Sequence, residues 1–278
     1  MTIYDGYSTW KPNHYPAILA IGDSWFWYPK NNLLEALARH PKLKEGYQHM
    51  VRLGQNGALL SEYVDLPNRP GRFSGQLQLL LGPDPMQYFS VFAISGGGND
   101  AVDYSLGLNS KELCEKAQTA EQCVSEDGMN DLMRILTQAM SLAMHEVLWA
   151  FEKRKRQPVV LLHGYDYAVP DGRPFELAGI PFAGPWLARA MNDRSVPQDF
   201  DLRKGIVRIL IDRLNEAFER YAQPASGIYF VDSRNTLESG ANYQRDWDNE
   251  LHPTPPGFDR IVDRAWMPIL RKAGIARA

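Results

Sequence analysis

Four residues, spread over most of a 278-residue chain, have surroundings that point to chemistry: Ser24, Gly57, Asn99 and His252. Ser24 follows an apolar run at 17–21 and a sharp Gly22-Asp23 break. Gly57 closes a turn at 54–57, Asn99 follows Gly96-Gly97-Gly98, and His252 stands in a polar loop at 246–254. A serine hydroxyl becomes a useful nucleophile when a histidine takes its proton. The oxyanion that then forms on a carbonyl substrate needs donors already in place, which backbone N–H groups and an asparagine amide can supply. The four residue types together make an acyl-transfer set. Each has a plainer reading when taken alone. Ser24 can cap the helix expected at 31–39, Asn99 and Asp100 can cap a helix after a strand, and Gly57 can simply permit a tight turn.

To bring such distant residues together the chain needs a sheet. Apolar runs at 17–21, 49–53, 88–95, 158–163 and 227–231 read as five strands. Helical periodicity at 31–39, 73–81, 131–155, 202–221 and 257–273 separates most of them. Strands alternating with helices argue for an α/β domain with a parallel sheet covered on both faces. In such a sheet the loops that follow the strands emerge at one edge, where ligands bind. Residues 1–16 read as an irregular lead-in in which Trp10, Pro12 and Pro16 pack rather than react. The polar stretches at about 101–130 and 164–200 read as insertions into a single domain spanning 1–278.

Composition narrows the function classes. Hydrophobic content of 44% and charged content of 23% are ordinary for a globular protein. A net charge of -3 gives no reason to expect nucleic acid as a partner. No apolar segment approaches the roughly 20 residues needed to span a bilayer. Without a basic-then-apolar leader at residues 1–16, the expected location is the cytoplasm. The two cysteines, Cys114 and Cys123, can bridge a surface loop or stay free, and lack the histidine neighbours of a zinc site. Gly96 to Ala101 matches the G-x-G-x-x-A dinucleotide fingerprint, but it follows the third strand and lacks the acidic residue expected further on. The nucleophile elbow G-x-S-x-G is absent, because Phe26 stands at its last glycine.

With these residues in view, the chain resembles the SGNH/GDSL hydrolases, a superfamily of serine esterases and lipases. The resemblance rests on Gly22-Asp23-Ser24, Asn56-Gly57, Gly97-Gly98-Asn99-Asp100 and His252-Pro253, which occur in the family's order across positions 22 to 253. It implies a three-layer α/β/α, flavodoxin-like fold with a five-stranded parallel sheet. It implies Ser24 as nucleophile, His252 as general base and acid, and an oxyanion hole from Ser24 N–H, Gly57 N–H and the Asn99 amide. No metal or organic cofactor is implied.

Two departures from the family pattern stand out. Trp25 occupies the position of the leucine in the name-giving motif, and Asn249 the position of the aspartate three residues before the histidine. An asparagine carbonyl can orient the imidazole, as Cys-His-Asn enzymes show, but brings no charge. Asp248 and Glu250 flank it, so the orienter is Asn249 or, alternatively, Asp248. Trp25, His163, Tyr165 and Tyr167 lie at the expected site edge, and the first three are candidates for the pocket wall. The sequence thus points to a serine hydrolase of carboxylic esters, with a lipid, sugar or small-molecule ester as substrate. The alternative is a binding module of the same fold, with a weakened site, that recognises carbohydrate or protein.

Overall fold

A computed structural model describes residues 1–11 and 14–278, so the packing expected of Pro12 lies outside the described residues. Among the described residues there are eight strands: β1 (Thr2–Asp5), β2 (Ile18–Gly22), β3 (His49–Gly54), β4 (Val91–Ile94), β5 (Val159–His163), β6 (Phe175–Leu177), β7 (Ile180–Ala183) and β8 (Ile228–Val231). Six of them form one sheet in the order β1-β3-β2-β4-β5-β8, and every neighbouring pair is parallel. Strands β2 and β4 are buried at every residue, as expected when helices cover both faces.

The sheet has six strands rather than the five expected. The extra one is β1, which pairs with β3 from Thr2↔His49 to Asp5↔Arg52. It lies at the sheet edge with only Tyr4 buried, so it carries no apolar run to mark it in sequence.

Helices close the two faces. The long helix Glu126–Lys153 packs against Phe200–Glu219, while Leu33–Arg39 packs against Pro255–Ile261 near the C-terminus. Ser125 caps the long helix by accepting from Gly128 N at 3.1 Å, which starts it earlier than periodicity alone indicates. The polar stretch at 101–130 contains the short helices Lys111–Glu115 and Ala120–Cys123, with Cys114 and Cys123 as buried free thiols. The stretch at 164–200 holds the antiparallel β6–β7 hairpin and the helix Leu187–Asp193.

What the fold does for the site is visible in the register. Gly22 pairs with Gly54, and Ile21 with Ile94, so β2, β3 and β4 end at one level. The chain leaves β2 for β3 on one side and later enters β4 on the other, which opens a crevice beyond the carboxyl end of β2. Gly54 makes the closeness possible: at φ +95°, a Cβ there would lie 1.9 Å from the Gly22 carbonyl oxygen.

Candidate active site

Ser24 stands where β2 breaks into the one-turn helix Ser24–Trp27. Asp23 forms the break, its Oδ1 accepting from Trp25 N at 3.0 Å. Being the first residue of the turn, Ser24 keeps its own N–H outside the helical bonding. Its side chain lies in the crevice, and the residue is 8% exposed.

His252 reaches the serine from the other end of the chain. Its Nε2 lies 2.7 Å from Ser24 Oγ, and its Nδ1 lies 3.0 Å from Asn249 Oδ1. That Asn249 oxygen also accepts from Leu251 N at 3.0 Å and from His252 N at 3.1 Å. Two backbone N–H groups therefore fix the asparagine with its carbonyl, not its NH2, facing the ring. The carbonyl can only accept, so Nδ1 carries the proton and Nε2 presents its lone pair to Ser24. An amide carbonyl sets the tautomer that a carboxylate sets in a Ser-His-Asp triad.

The asparagine is held from its far side too. Asn249 Nδ2 donates to the Tyr28 hydroxyl at 2.9 Å, Tyr28 donates to Asp248, and Lys30 donates to both Asp248 oxygens at 2.8 and 2.9 Å. The Asp248 side chain is thus bonded to Tyr28 and Lys30 rather than to the imidazole, while its backbone N–H donates to the His252 carbonyl at 2.9 Å. Burial and the Asp248 carboxylate both hold the Tyr28 hydroxyl in its protonated form. The Tyr28 ring lies flat on the imidazole, centroids 4.3 Å apart, and Trp186 meets it edge-on at 5.7 Å. This burial pushes the His252 pKa down to about 3, against a smaller upward pull from Asp248 and with a further downward push from Lys30.

Glu250 does different work. Its carboxylate accepts from Gly172, Trp186, Leu187 and Ala188 N–H groups, capping the helix Leu187–Asp193 and fixing Trp186 beside the histidine. Arg173 donates to the carbonyls of Trp247 and Asp248 at 3.0 and 3.1 Å. The stretch at 164–200 is therefore tied to the histidine loop from both sides.

Gly57 and Asn99 arrive from the ends of β3 and β4. Gly57 takes φ +77°, a turn conformation that side chains resist. Asn99 Nδ2 donates one hydrogen to the Ala58 carbonyl at 3.1 Å, which anchors the amide and leaves its second hydrogen available. Two cavities meet here, and Ser24, Asn99 and Leu251 line both. One is a slot of about 50 Å³ with Trp25 and Tyr165 in its wall; the other is a mouth of about 260 Å³ bordered by Gly57, Tyr28 and His252.

His163 departs from expectation. It ends β5 at the correct edge but is enclosed by Trp25, Phe26, Tyr165 and Trp266, and it borders neither cavity. The aromatic residues next to Ser24 fold inward over the strand end and shut it in. Neither of its ring nitrogens has a hydrogen-bond partner among the described residues, and burial drives its pKa down to about 3. Tyr165 donates to Asp23 at 2.6 Å, and burial raises the Asp23 pKa. Sequence reasoning missed the contacts of Phe175 and Trp186 with this site and the stacking of Tyr28 on the histidine, and it set Glu250 beside Asn249 without finding its place at the start of the helix Leu187–Asp193. Tyr28, four residues after the serine in a run of aromatics, was the one with a signal.

No protein-family model matches the chain, and no curated protein matches it. Among solved structures it is similar to a lipase from a goat rumen metagenome, at 16% identity and TM-score 0.55, covering 94% of this chain and 98% of that one. It also aligns with an extracellular lipase from Streptomyces rimosus, at 16% identity and TM-score 0.45, covering 93% and 99% of the two chains. An acetyl xylan esterase aligns at 11% identity and TM-score 0.40, covering 90% and 98%. At such identities the likeness to the rumen lipase shows a shared fold: a parallel sheet with helices on both sides.

Proposed function

We propose that this chain is a serine hydrolase of the SGNH/GDSL type that cleaves carboxylic esters through an acyl-enzyme on Ser24. The observation that carries the reading is the Ser24 Oγ–His252 Nε2 contact of 2.7 Å, with the ring's other nitrogen fixed as the protonated one. Ser24 Oγ attacks the ester carbonyl carbon as its proton passes to Nε2. The carbonyl electron pair moves onto oxygen, which rests on Ser24 N–H, Gly57 N–H and the second hydrogen of the Asn99 amide. Collapse breaks the carbon–alcohol bond, and the proton on Nε2 goes to the departing oxygen. Water then gives a proton to Nε2, attacks the acyl carbon and releases the acid, returning the proton to Ser24.

Two features support the histidine's part. The wrong tautomer costs a Ser-His-Asp enzyme about 10⁴ in kcat when an asparagine replaces the aspartate. Here the backbone N–H groups of Leu251 and His252 hold the carbonyl of Asn249 toward the ring, so that loss does not arise. A base buried against Tyr28 and Trp186 also stays unprotonated, and ready, in mild acid.

The test is hydrolysis of p-nitrophenyl acetate by the full chain and by Ser24→Ala. The variant is expected to lose roughly 10⁴-fold or more in kcat with an unchanged circular dichroism spectrum. Equal rates in the two proteins overturn the reading.

A further inference from the structure

The two cavities at Ser24 differ in which catalytic group borders them, and that difference assigns the two halves of an ester. His252 lines the mouth and is absent from the slot. A general acid must lie within hydrogen-bond reach of the oxygen that it protonates. The departing alcohol therefore belongs in the mouth, and the acyl chain, on the opposite side of the carbonyl carbon, belongs in the slot.

Each cavity then states what it accepts. Besides Asp23, Tyr165 and Asp166, whose carboxylate already accepts from Tyr167, Asn235, Thr236 and Leu237, the slot is walled by Leu106, Leu187, Val207, Leu210, Ile211 and Leu214. At about 50 Å³ it has room for roughly three to five water-sized groups, and so for a short aliphatic chain. The mouth is about 260 Å³, walled by the rings of Tyr28, Phe175, Phe182 and Trp186. No Asp, Glu, Lys or Arg among the described residues borders it, and Phe182 is 74% exposed on the hairpin that forms its rim. An aromatic face left open in this way gains from an apolar ring laid against it, and the nearest charges, Lys30 over the Phe175 ring at 5.4 Å and Asp248, are already paired with each other at 2.8 Å.

We propose, building on the hydrolase reading above, that the substrates are short-chain acyl esters, of about two to five acyl carbons, of bulky uncharged aromatic alcohols. The acyl group enters the slot and the ring of the alcohol packs on Phe175, Phe182 and Trp186. Long-chain acyl esters of small alcohols fit this site the wrong way round, because their chain needs the mouth, where the departing oxygen must lie.

The experiment measures kcat/KM on acetates, butyrates and octanoates of methanol and of benzyl alcohol, two alcohols of similar leaving ability. The full chain is expected to favour benzyl over methyl acetate by at least about tenfold, and benzyl butyrate over benzyl octanoate by a similar factor. Phe182→Ala, at an exposed position, lowers the benzyl-to-methyl ratio about fivefold and leaves the chain-length preference in place. Leu210→Ala enlarges the slot and improves the octanoate relative to the butyrate while the benzyl-to-methyl ratio holds. A preference for methyl octanoate, or a Phe182→Ala protein altered in chain length but not in alcohol, overturns the assignment while Ser24-dependent turnover stands. Ester turnover that survives Ser24→Ala, or no turnover of any ester, removes the hydrolase reading itself.

Discussion

The Tyr28 ring lies flat against His252, 4.3 Å between centroids, while its hydroxyl joins Asn249 to Asp248. One side chain thus both dries the base and holds the group that orients it. The carboxylate that a serine hydrolase usually sets against its histidine is here displaced outward, beyond an amide and a phenol. The histidine keeps the tautomer that the proposed mechanism needs, with an amide in place of a carboxylate against Nδ1.

On the proposed mechanism this arrangement sets the acid limb of activity. With His252 pushed down to about 3, the base stays neutral as pH falls through the ordinary histidine value of about 6.5. The kcat/KM for p-nitrophenyl acetate is expected to stay flat from pH 8 to about pH 5, where an unperturbed histidine loses more than about tenfold. Asn249→Asp sets a carboxylate against Nδ1–H, favours the imidazolium and moves the limb up by about 1–3 pH units. A pH–rate profile of each protein checks both; coincident limbs contradict the account.

Tyr28→Phe keeps the stacking ring and removes the hydroxyl that accepts from Asn249 Nδ2. A buried amide donor without a partner costs about 1–3 kcal/mol, part of which appears as a looser asparagine. The expected result is a kcat lower by about 5- to 30-fold with KM within about twofold. A KM effect alone shows that Tyr28 serves only as cavity wall.

Glu250→Ala removes the acceptor of four backbone N–H groups, three of them at the start of the helix that follows Trp186. The loss of such a cap is expected to cost about 2 kcal/mol and to lower Tm by about 4–8 °C. Because Trp186 loses its anchor, KM for benzyl acetate rises as well. Thermal melts and initial rates on the same preparation read both effects.

How much of this was legible in sequence divides along physical lines. Ser24, Gly57 and Asn99 sit at ends of buried strands, where apolar runs give way to glycine, so their place at one sheet edge could be read. The edge strand β1 could not, because a strand with one buried residue has no apolar pattern. His163 shows the limit of strand-end reasoning: the edge was correct, but whether a side chain faces the crevice depends on how Trp25 and Phe26 fold over it. The choice among Asp248, Asn249 and Glu250 depended on the turn at 246–254, whose backbone N–H groups select Asn249 as their acceptor. The slot and the mouth come from side chains of separate elements, including a hairpin inside a stretch without periodicity, so no local pattern announced them.

His163 offers a test of stability apart from the chemistry. Its folded pKa, about 3, lies below the unfolded value of about 6.5, so the unfolded chain binds the extra proton first. Its contribution therefore erodes stability as pH falls from 6.5 toward 3, by up to about 1.4 kcal/mol per pH unit. His163→Phe fills the same apolar surroundings without titrating. The variant is expected to match or exceed the parent in Tm at pH 7 and to pull ahead steadily toward pH 4.5. Parallel pH–Tm curves contradict the assignment.

Activation of Ser24 by His252 is measured directly with a fluorophosphonate probe. Intact-mass and peptide analysis of the labelled chain should show one adduct, on Ser24, with labelling slowed at least about 100-fold in His252→Ala. A folded protein that takes no adduct, or one labelled at the same rate without His252, contradicts the account.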